Sequence, residues 1–361
     1  MKMRKIVCSF MISVVCFMTA ISGVSATSYD TSKINAAYSK VVEYYKNNNN
    51  LNNADKILAV ESLGLEAESN QFDTSSADLS STSLSKKIVT EVLLGVDPTE
   101  DKKTLESQID ENGNVEGSWG ASSDVWTLYA LYVTSSEKTN LIANKLNDEL
   151  AASSVCGYEW GGTYYADYDT TGWVIEGLAV VNKEKYATTI NKAIDYIKNN
   201  TTMTTPGWVT ADNVDTQSQV LEGMFAYDTN ALLNDSYTVH PVDCLLNTQL
   251  SDGSFPSGYN AEYTTAEVAK TLGTYKNGSV IIKAKKAYDK MMNPEQPDNT
   301  KPAQPTDTKK DSQSTNKVET TNQKTTSVKT GDETNVVIFV SLSMVSGGLF
   351  LVLRKEYERV H

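Results

Sequence analysis

A unit of about 46 residues recurs through the middle of this 361-residue chain. A period of that size belongs to helical arrays and toroids, in which each unit buries its apolar face only against its neighbours. The repeat is marked by an aromatic residue that follows a polar or Gly-rich turn, at Phe72, Trp119, Trp160, Trp208 and Phe255. Five to nine residues after each, a helix is expected to begin, at Asp78, Asp124, Asp169, Asp215 and Tyr263.

Two kinds of helix alternate. Thr171 to Val181 carries Trp173, Val174, Ile175, Leu178, Ala179, Val180 and Val181 and is apolar on nearly every side, as a helix buried all round must be. The next segment places Tyr186, Ile190, Ala193, Ile194 and Ile197 on one stripe opposite Lys, Asn and Asp, the pattern of a helix with one wet face. Asp124 to Val133 pairs in the same way with Thr139 to Leu150, and Thr264 to Tyr275 with Val280 to Met292. With an earlier pair, Ser32 to Lys46 and Ala54 to Leu63, residues 27–293 are expected to form an all-α domain, an α/α toroid of six inner and six outer helices. Strand-like alternation is absent from the long segments. Apolar residues are 40% of the chain and charged ones 21%, enough to build such a core.

The two ends do not share this repeat. Residues 1–26 read as a secretory signal peptide: Lys2, Arg4 and Lys5, an apolar run from Ile6, then Val24-Ser25-Ala26 as a small-x-small cleavage pattern. Its removal takes away three positive charges and moves the formal net charge from −13 to −16. Residues 294–326 begin with half of the eight prolines, contain no aromatic residue and are expected to form a disordered stalk. Val336 to Leu353 is an 18-residue apolar stretch without a charge, long enough for one transmembrane helix. The basic tail 354–361, with Arg354, Lys355 and Arg359, places the C-terminus inside. The segment 327–332 just before the span reads Ser-Val-Lys-Thr-Gly-Asp. Thr-Gly, apolar span and basic tail in this order resemble the cell-wall sorting signal of Gram-positive surface proteins, whose sortase cuts between Thr and Gly. The resemblance implies linkage of Thr330 to peptidoglycan and release of Gly331, although Ser327-Val328 stand where that family has Leu-Pro. Both readings anchor the body outside the cell, to wall or membrane. The acidic balance excludes nucleic acid as a partner, because phosphate binding needs concentrated Lys and Arg. Of four cysteines, Cys156 and Cys244 remain in the mature body, where a disulfide is permitted but not required.

Gln249-Leu-Ser-Asp-Gly-Ser-Phe255 and Gln108 to Trp119 resemble the Gln-Trp repeat of squalene-hopene cyclases and the related repeats of protein prenyltransferase β-subunits. Asp169-Thr-Thr, Asp215-Thr-Gln-Ser and Thr264-Thr265-Ala266 before inner helices also resemble cobalamin carriers of the intrinsic-factor type. These likenesses imply the toroid and leave the activity open among cyclase, transferase and binding protein.

Asp167-Tyr168-Asp169-Thr170-Thr171 resembles the Asp-x-Asp-Asp-Thr motif of class II terpene cyclases, with Thr170 in place of the last Asp. The resemblance implies Asp169 as the general acid, tuned by Asp167. Asp also stands at the matching place in Asp78, Asp124 and Asp215, and every inner helix needs an N-cap, so capping is the reading adopted for Asp169. His240, Asp243 and Cys244 offer zinc-type ligands, but His240-Pro241 reads as a helix start with a buried Cys behind it. No metal and no cofactor are expected.

Glu176 and Glu222 stand seven residues after Asp169 and Asp215, each followed by a glycine. They face the central cavity or bond a neighbouring inner helix. Trp119, Trp160, Trp208 and Phe255 are expected to staple each turn to the next helix. Tyr158, Trp160, Tyr164, Tyr165, Tyr168, Trp208, Tyr259 and Tyr263 lie where inner helices open, with Trp173 a further candidate ligand contact, and aromatics with polar handles suit recognition. The expected function is ligand or partner binding at the mouth of the toroid near residues 158–169, by an unknown small molecule or surface partner. Cyclase catalysis through Asp169 and cobalamin capture are the alternatives.

Overall fold

The computed structural model describes residues 29–68, 72–74, 80–160, 162–200 and 213–294. The signal peptide, Asp78, Trp208, the stalk beyond Pro294, Thr330, Gly331 and the span 336–353 lie outside the described residues. Among the described residues no helix is long and apolar enough to cross a membrane.

The described chain is nearly all helix: α1 (Ser32–Asn47), α2 (Ala54–Ser62), α3 (Ser81–Leu93), α4 (Thr99–Ser107), α5 (Ala121–Val133), α6 (Thr139–Ser153), α7 (Tyr168–Asn200), α8 (Val214–Asn234), α9 (Pro241–Leu246), α10 (Ala261–Asn277) and α11 (Val280–Met292). The long helices α7 and α8 are each two helices joined at a corner. Asn182 and Asp228 leave helical geometry there, with ψ of 89° and 92°. Each caps the helical segment after its corner, accepting from Lys185 N and Ala231 N at 2.9 Å. The segment before the corner is buried, as in Asp215 to Phe225, and the segment after it is amphipathic, with Tyr186, Ile190, Ala193 and Ile197 buried. The expected alternation of buried and one-faced helices holds here.

Packing partners run in a closed cycle: α2 against α3, α3 against α5, α5 against the first half of α7, α7 against α8, α8 against α10, and α10 back against α2. Side chains at matching depth meet across this cycle. Trp126 touches Trp173 and Tyr129 reaches Glu176, which sets α5 and α7 parallel and in step. Around the cycle, α1 packs on α10, α4 on α3, and α6 on α5 and α7.

Two elements depart from the expected layout. Helix α11 is not an outer partner of α10 alone, because it packs chiefly on α3 and α5. Lys283 donates to Glu61 O at 2.9 Å and pairs with the Glu61 carboxylate at 2.6 Å, at the last turn of α2. The stripe Val280, Ile281, Ala284 and Tyr288 is therefore buried across the C-terminal ends of the cycle, not along its side. The second departure is a β-hairpin, β1 (Gly157–Trp160) with β2 (Thr163–Ala166), antiparallel with Tyr158 opposite Tyr165. It occupies a short segment where no strand was expected.

Candidate functional site

The N-terminal turns of four helices in the cycle share one arrangement. Asn53, Asp167, Asn213 and Asn260 are the N-caps, their side-chain oxygens accepting from Lys56 N, Thr170 N, Thr216 N and Tyr263 N at 3.0–3.1 Å. Two residues after each cap stands an acid: Asp55, Asp169, Asp215 and Glu262. The expected capping role of Asp169 and Asp215 is thus corrected by two positions. A cap oxygen must reach back to amides of the first turn, and these two residues already lie inside that turn. Asp124 does not cap either; it is buried and accepts from Ser118 Oγ at 2.6 Å and Lys145 at 2.9 Å.

Freed from capping, the four acids divide by charge. Asp55 is paired with Lys86 and Glu262 with Lys56, both at 2.8 Å. Among the described residues neither Asp169 nor Asp215 has a lysine partner; the Thr216 side chain lies beside Asp169 and the Tyr259 phenol beside Asp215. Burial pushes the Asp169 carboxyl up to about 6; Thr216 opposes the rise, and Asp167, Asp215 and Glu267 add to it.

Beneath this pair the interior is charged. Lys270 and Glu267 are in contact at 3.0 Å, and Glu222 lies 3.9 Å from the same ammonium. Gln219 Nε2 donates to Glu267 at 3.1 Å and lies 3.4 Å from the Tyr263 hydroxyl. Lys86 and Lys270 sit 4.5 and 5.4 Å from the centre of the Trp126 ring, where the electron-rich face attracts a cation. The Tyr129 hydroxyl lies 2.8 Å from Trp173 O and 3.0 Å from Glu176 Oε2. A phenol has one proton and a carbonyl only accepts, so both contacts are made when Glu176 carries a proton. Burial raises the Glu176 carboxyl and lifts that of Glu222 well above its ordinary value, against the pull of Lys270. Among the described residues, four buried polar atoms in this region have no partner: Trp173 Nε1, Glu176 Oε1, Asp215 Oδ1 and Gln219 Oε1; Glu222 Oε2 and Glu267 Oε1 accept no hydrogen bond but face the Lys270 ammonium.

The structure brings Asp167, Asp169, Trp173, Glu176, Glu222 and Tyr263 to one end and the interior of the cycle. Glu176 bonds Tyr129 of α5, and Glu222 lies 3.5 Å from the Thr274 hydroxyl of α10, so both acids link neighbouring helices. Tyr158, Tyr164 and Tyr165 are instead exposed on the hairpin, where Tyr158 and Tyr165 stack at 5.5 Å. Tyr164 is held by its hydroxyl donating to Val155 O at 2.8 Å. Tyr168 is half-buried. Trp160 belongs to β1 by its backbone, and its side chain lies outside the described residues. Trp119 staples nothing, being 91% exposed, whereas Phe255 is fully buried. His240 caps α9, accepting from Val242 N at 3.2 Å, while Asp243 accepts from Tyr29 and Lys33. Cys156 and Cys244 are both buried and unpaired. Among the described residues no group of His, Cys, Asp and Glu is placed to hold a metal ion.

Sequence reasoning did not single out Trp126, Tyr129, Gln219, Glu267 or Lys270 as site residues. A usable signal was present: Glu267 and Lys270 are three apart inside Thr264 to Thr274, which is otherwise uncharged.

The raised Asp169 carboxyl predicts a pH-dependent difference between the chain and Asp169→Asn. Between its ordinary value of 3.8 and about 6 the folded state holds a proton that the unfolded state has lost, so wild-type stability falls with rising pH in that window. Thermal melts should show Asp169→Asn gaining on wild type from about pH 4 to about pH 6 and running parallel above it. A constant difference across the range would remove the assignment.

No protein family, no curated protein and no solved structure matches this chain.

Proposed function

We propose that this chain is an α/α-toroid protein, secreted and anchored at the surface of a Gram-positive cell, which binds a ligand or partner at the N-terminal mouth of its inner helices. The closed cycle of six helices supports the toroid, with α11 lying across its far end. Sequence features alone support the address: residues 1–26, the Thr330-Gly331 sorting motif, the span 336–353 and the basic tail.

One observation carries the binding reading. Asp169 and Asp215 are released from capping and, among the described residues, lack a cation, while Trp173 Nε1, Glu176 Oε1, Asp215 Oδ1 and Gln219 Oε1 are buried without a partner. Each such atom costs about 1–3 kcal/mol when left alone, so a group from outside has something to satisfy there.

The raised carboxyl of Asp169 favours a second reading, a cyclase acid that protonates an alkene. Against it stands the interior, where Glu176, Glu222, Glu267 and Lys270 are buried; a carbocation path needs apolar and aromatic walls. Incubation of the purified full chain with squalene in detergent distinguishes the two. Unchanged squalene is the expected outcome. A cyclic product that disappears in Asp169→Asn would replace the binding reading with the enzymatic one.

A further inference from the structure

We infer that the ligand of this mouth is a neutral, hydroxyl-rich chain, a saccharide. The inference rests on the binding reading above and goes on from it to the chemistry of the ligand.

The unpartnered atoms are of mixed kind. Among the described residues Trp173 Nε1 is the donor, while Glu176 Oε1, Asp215 Oδ1 and Gln219 Oε1 are acceptors, and Asp215 and Gln219 are 4% and 1% exposed. They stand four apart on α8, on the face whose Gln219 amide reaches Glu267 and Tyr263 of α10. A carboxylate or phosphate offers acceptors only, and an ammonium offers donors only. A hydroxyl does both from one oxygen, so adjacent hydroxyls can meet a donor and several acceptors together.

Charge points the same way. Each lysine beside the mouth is neutralised by a carboxylate: Lys56 by Glu262, Lys86 by Asp55 and Lys270 by Glu267. An anionic ligand would therefore meet Asp169 and Asp215 with no free cation to receive it.

The surrounding surface supplies flat apolar faces. Trp119 immediately precedes α5, the hairpin tyrosines precede α7 and Tyr259 precedes α10, so all stand at the end where the capped turns lie. Trp119 is 91% and Tyr259 71% exposed, and Tyr158 stacks on Tyr165 in the open. The stacked Tyr158 and Tyr165 form one exposed platform of the kind on which the C–H faces of sugar rings pack.

The test is calorimetric titration of the purified full chain with neutral hexaoses of cellulose, chitin, xylan, mannan and starch type. Choline and inorganic phosphate serve as cationic and anionic probes. At least one hexaose is expected to bind, with affinity lowered about tenfold or more by Gln219→Leu and by Trp119→Ala. Trp119 is a surface residue, so its variant keeps the fold even if Gln219→Leu does not; melting curves identify which has happened. If no hexaose binds at about 5 mM while choline or phosphate binds in a way that Gln219→Leu abolishes, the saccharide assignment is wrong and the mouth remains the site. If a hexaose binds and neither variant weakens it, the mouth itself is wrong. If none of the probes binds, the saccharide assignment falls.

Discussion

Replacing Lys270 by methionine is expected to cost the folded chain about 3–5 kcal/mol, the usual effect of removing one partner from a buried ion pair. Lys270 is 3% exposed and Glu267 is fully buried. Burial pulls the Lys270 ammonium down, but Glu267, Glu222 and Asp55 outweigh it and leave its pKa above the ordinary value, so it remains charged. Methionine keeps most of the length and removes the charge. Glu267 is then left with the amide of Gln219 at 3.1 Å in place of a cation at 3.0 Å. Urea denaturation at pH 7 measures the loss. The double variant Lys270→Met/Glu267→Met should recover much of the stability, since exchanging both charges for apolar groups of similar volume is often tolerated. A single variant that loses less than about 1 kcal/mol, or a double variant no better than the single, would show that this buried pair within α10 does not govern the stability of the interior.

This pair also explains why the mouth has the character it does. Lys270 is engaged by Glu267 and lies near Glu222; Lys86 is engaged by Asp55. The positive charge of the interior is thereby used within the protein, and Asp169 on α7 and Asp215 on α8 are left without a cation among the described residues. Fold and site are thus linked through charge: the carboxylates on α8 and α10 that order the interior also help to hold the proton on Asp169.

The repeat, the all-helical class and the alternation of buried and one-faced helices were legible because they depend on spacing along the chain. Tyr186, Ile190, Ala193 and Ile197 announce a stripe whatever they pack against. The destination of a stripe is not written in it. Val280, Ile281, Ala284 and Tyr288 mark a buried face equally well for an outer helix and for one lying across the ends of α3 and α5. The cap was misplaced for a related reason: in Asp167-Tyr168-Asp169 either acid satisfies a capping pattern taken alone. Comparison of Asn53, Asp167, Asn213 and Asn260, each two residues before an acid, separates the two roles. Trp119 and Phe255 follow similar turns, yet one is exposed and the other buried, because the neighbouring chain decides whether a ring has anything to cover it.

Gly177 and Gly223 each follow a buried glutamate at the same place in successive repeats, and the structure predicts opposite sensitivity for them. A methyl group at Gly223 would stand 2.2 Å from Gly172 O on α7, and one at Gly172 would stand 2.4 Å from Gln219 O on α8. Both obstacles are backbone, so no rotamer change relieves them and the two helices must move apart. A methyl group at Gly177 would meet only side chains of α5, Leu128, Val125 and Tyr129, at 3.2–3.4 Å. Alanine favours a helix interior over glycine by about 1 kcal/mol, which roughly offsets a contact that side chains can yield to. Gly177→Ala should therefore change stability by less than about 1 kcal/mol. Gly223→Ala should lose about 1–3 kcal/mol or more after that helix gain is subtracted, the range found for overpacked cores. Separation of α7 from α8 would also draw the Thr216 hydroxyl away from Asp169, so the variant should alter the pH-dependent difference assigned to that carboxyl. Urea denaturation of both glycine variants at pH 5 and pH 7 reads stability and coupling together. Equal effects at the two glycines would mean that the close approach of α7 and α8 is not needed for the fold or for the site that it carries.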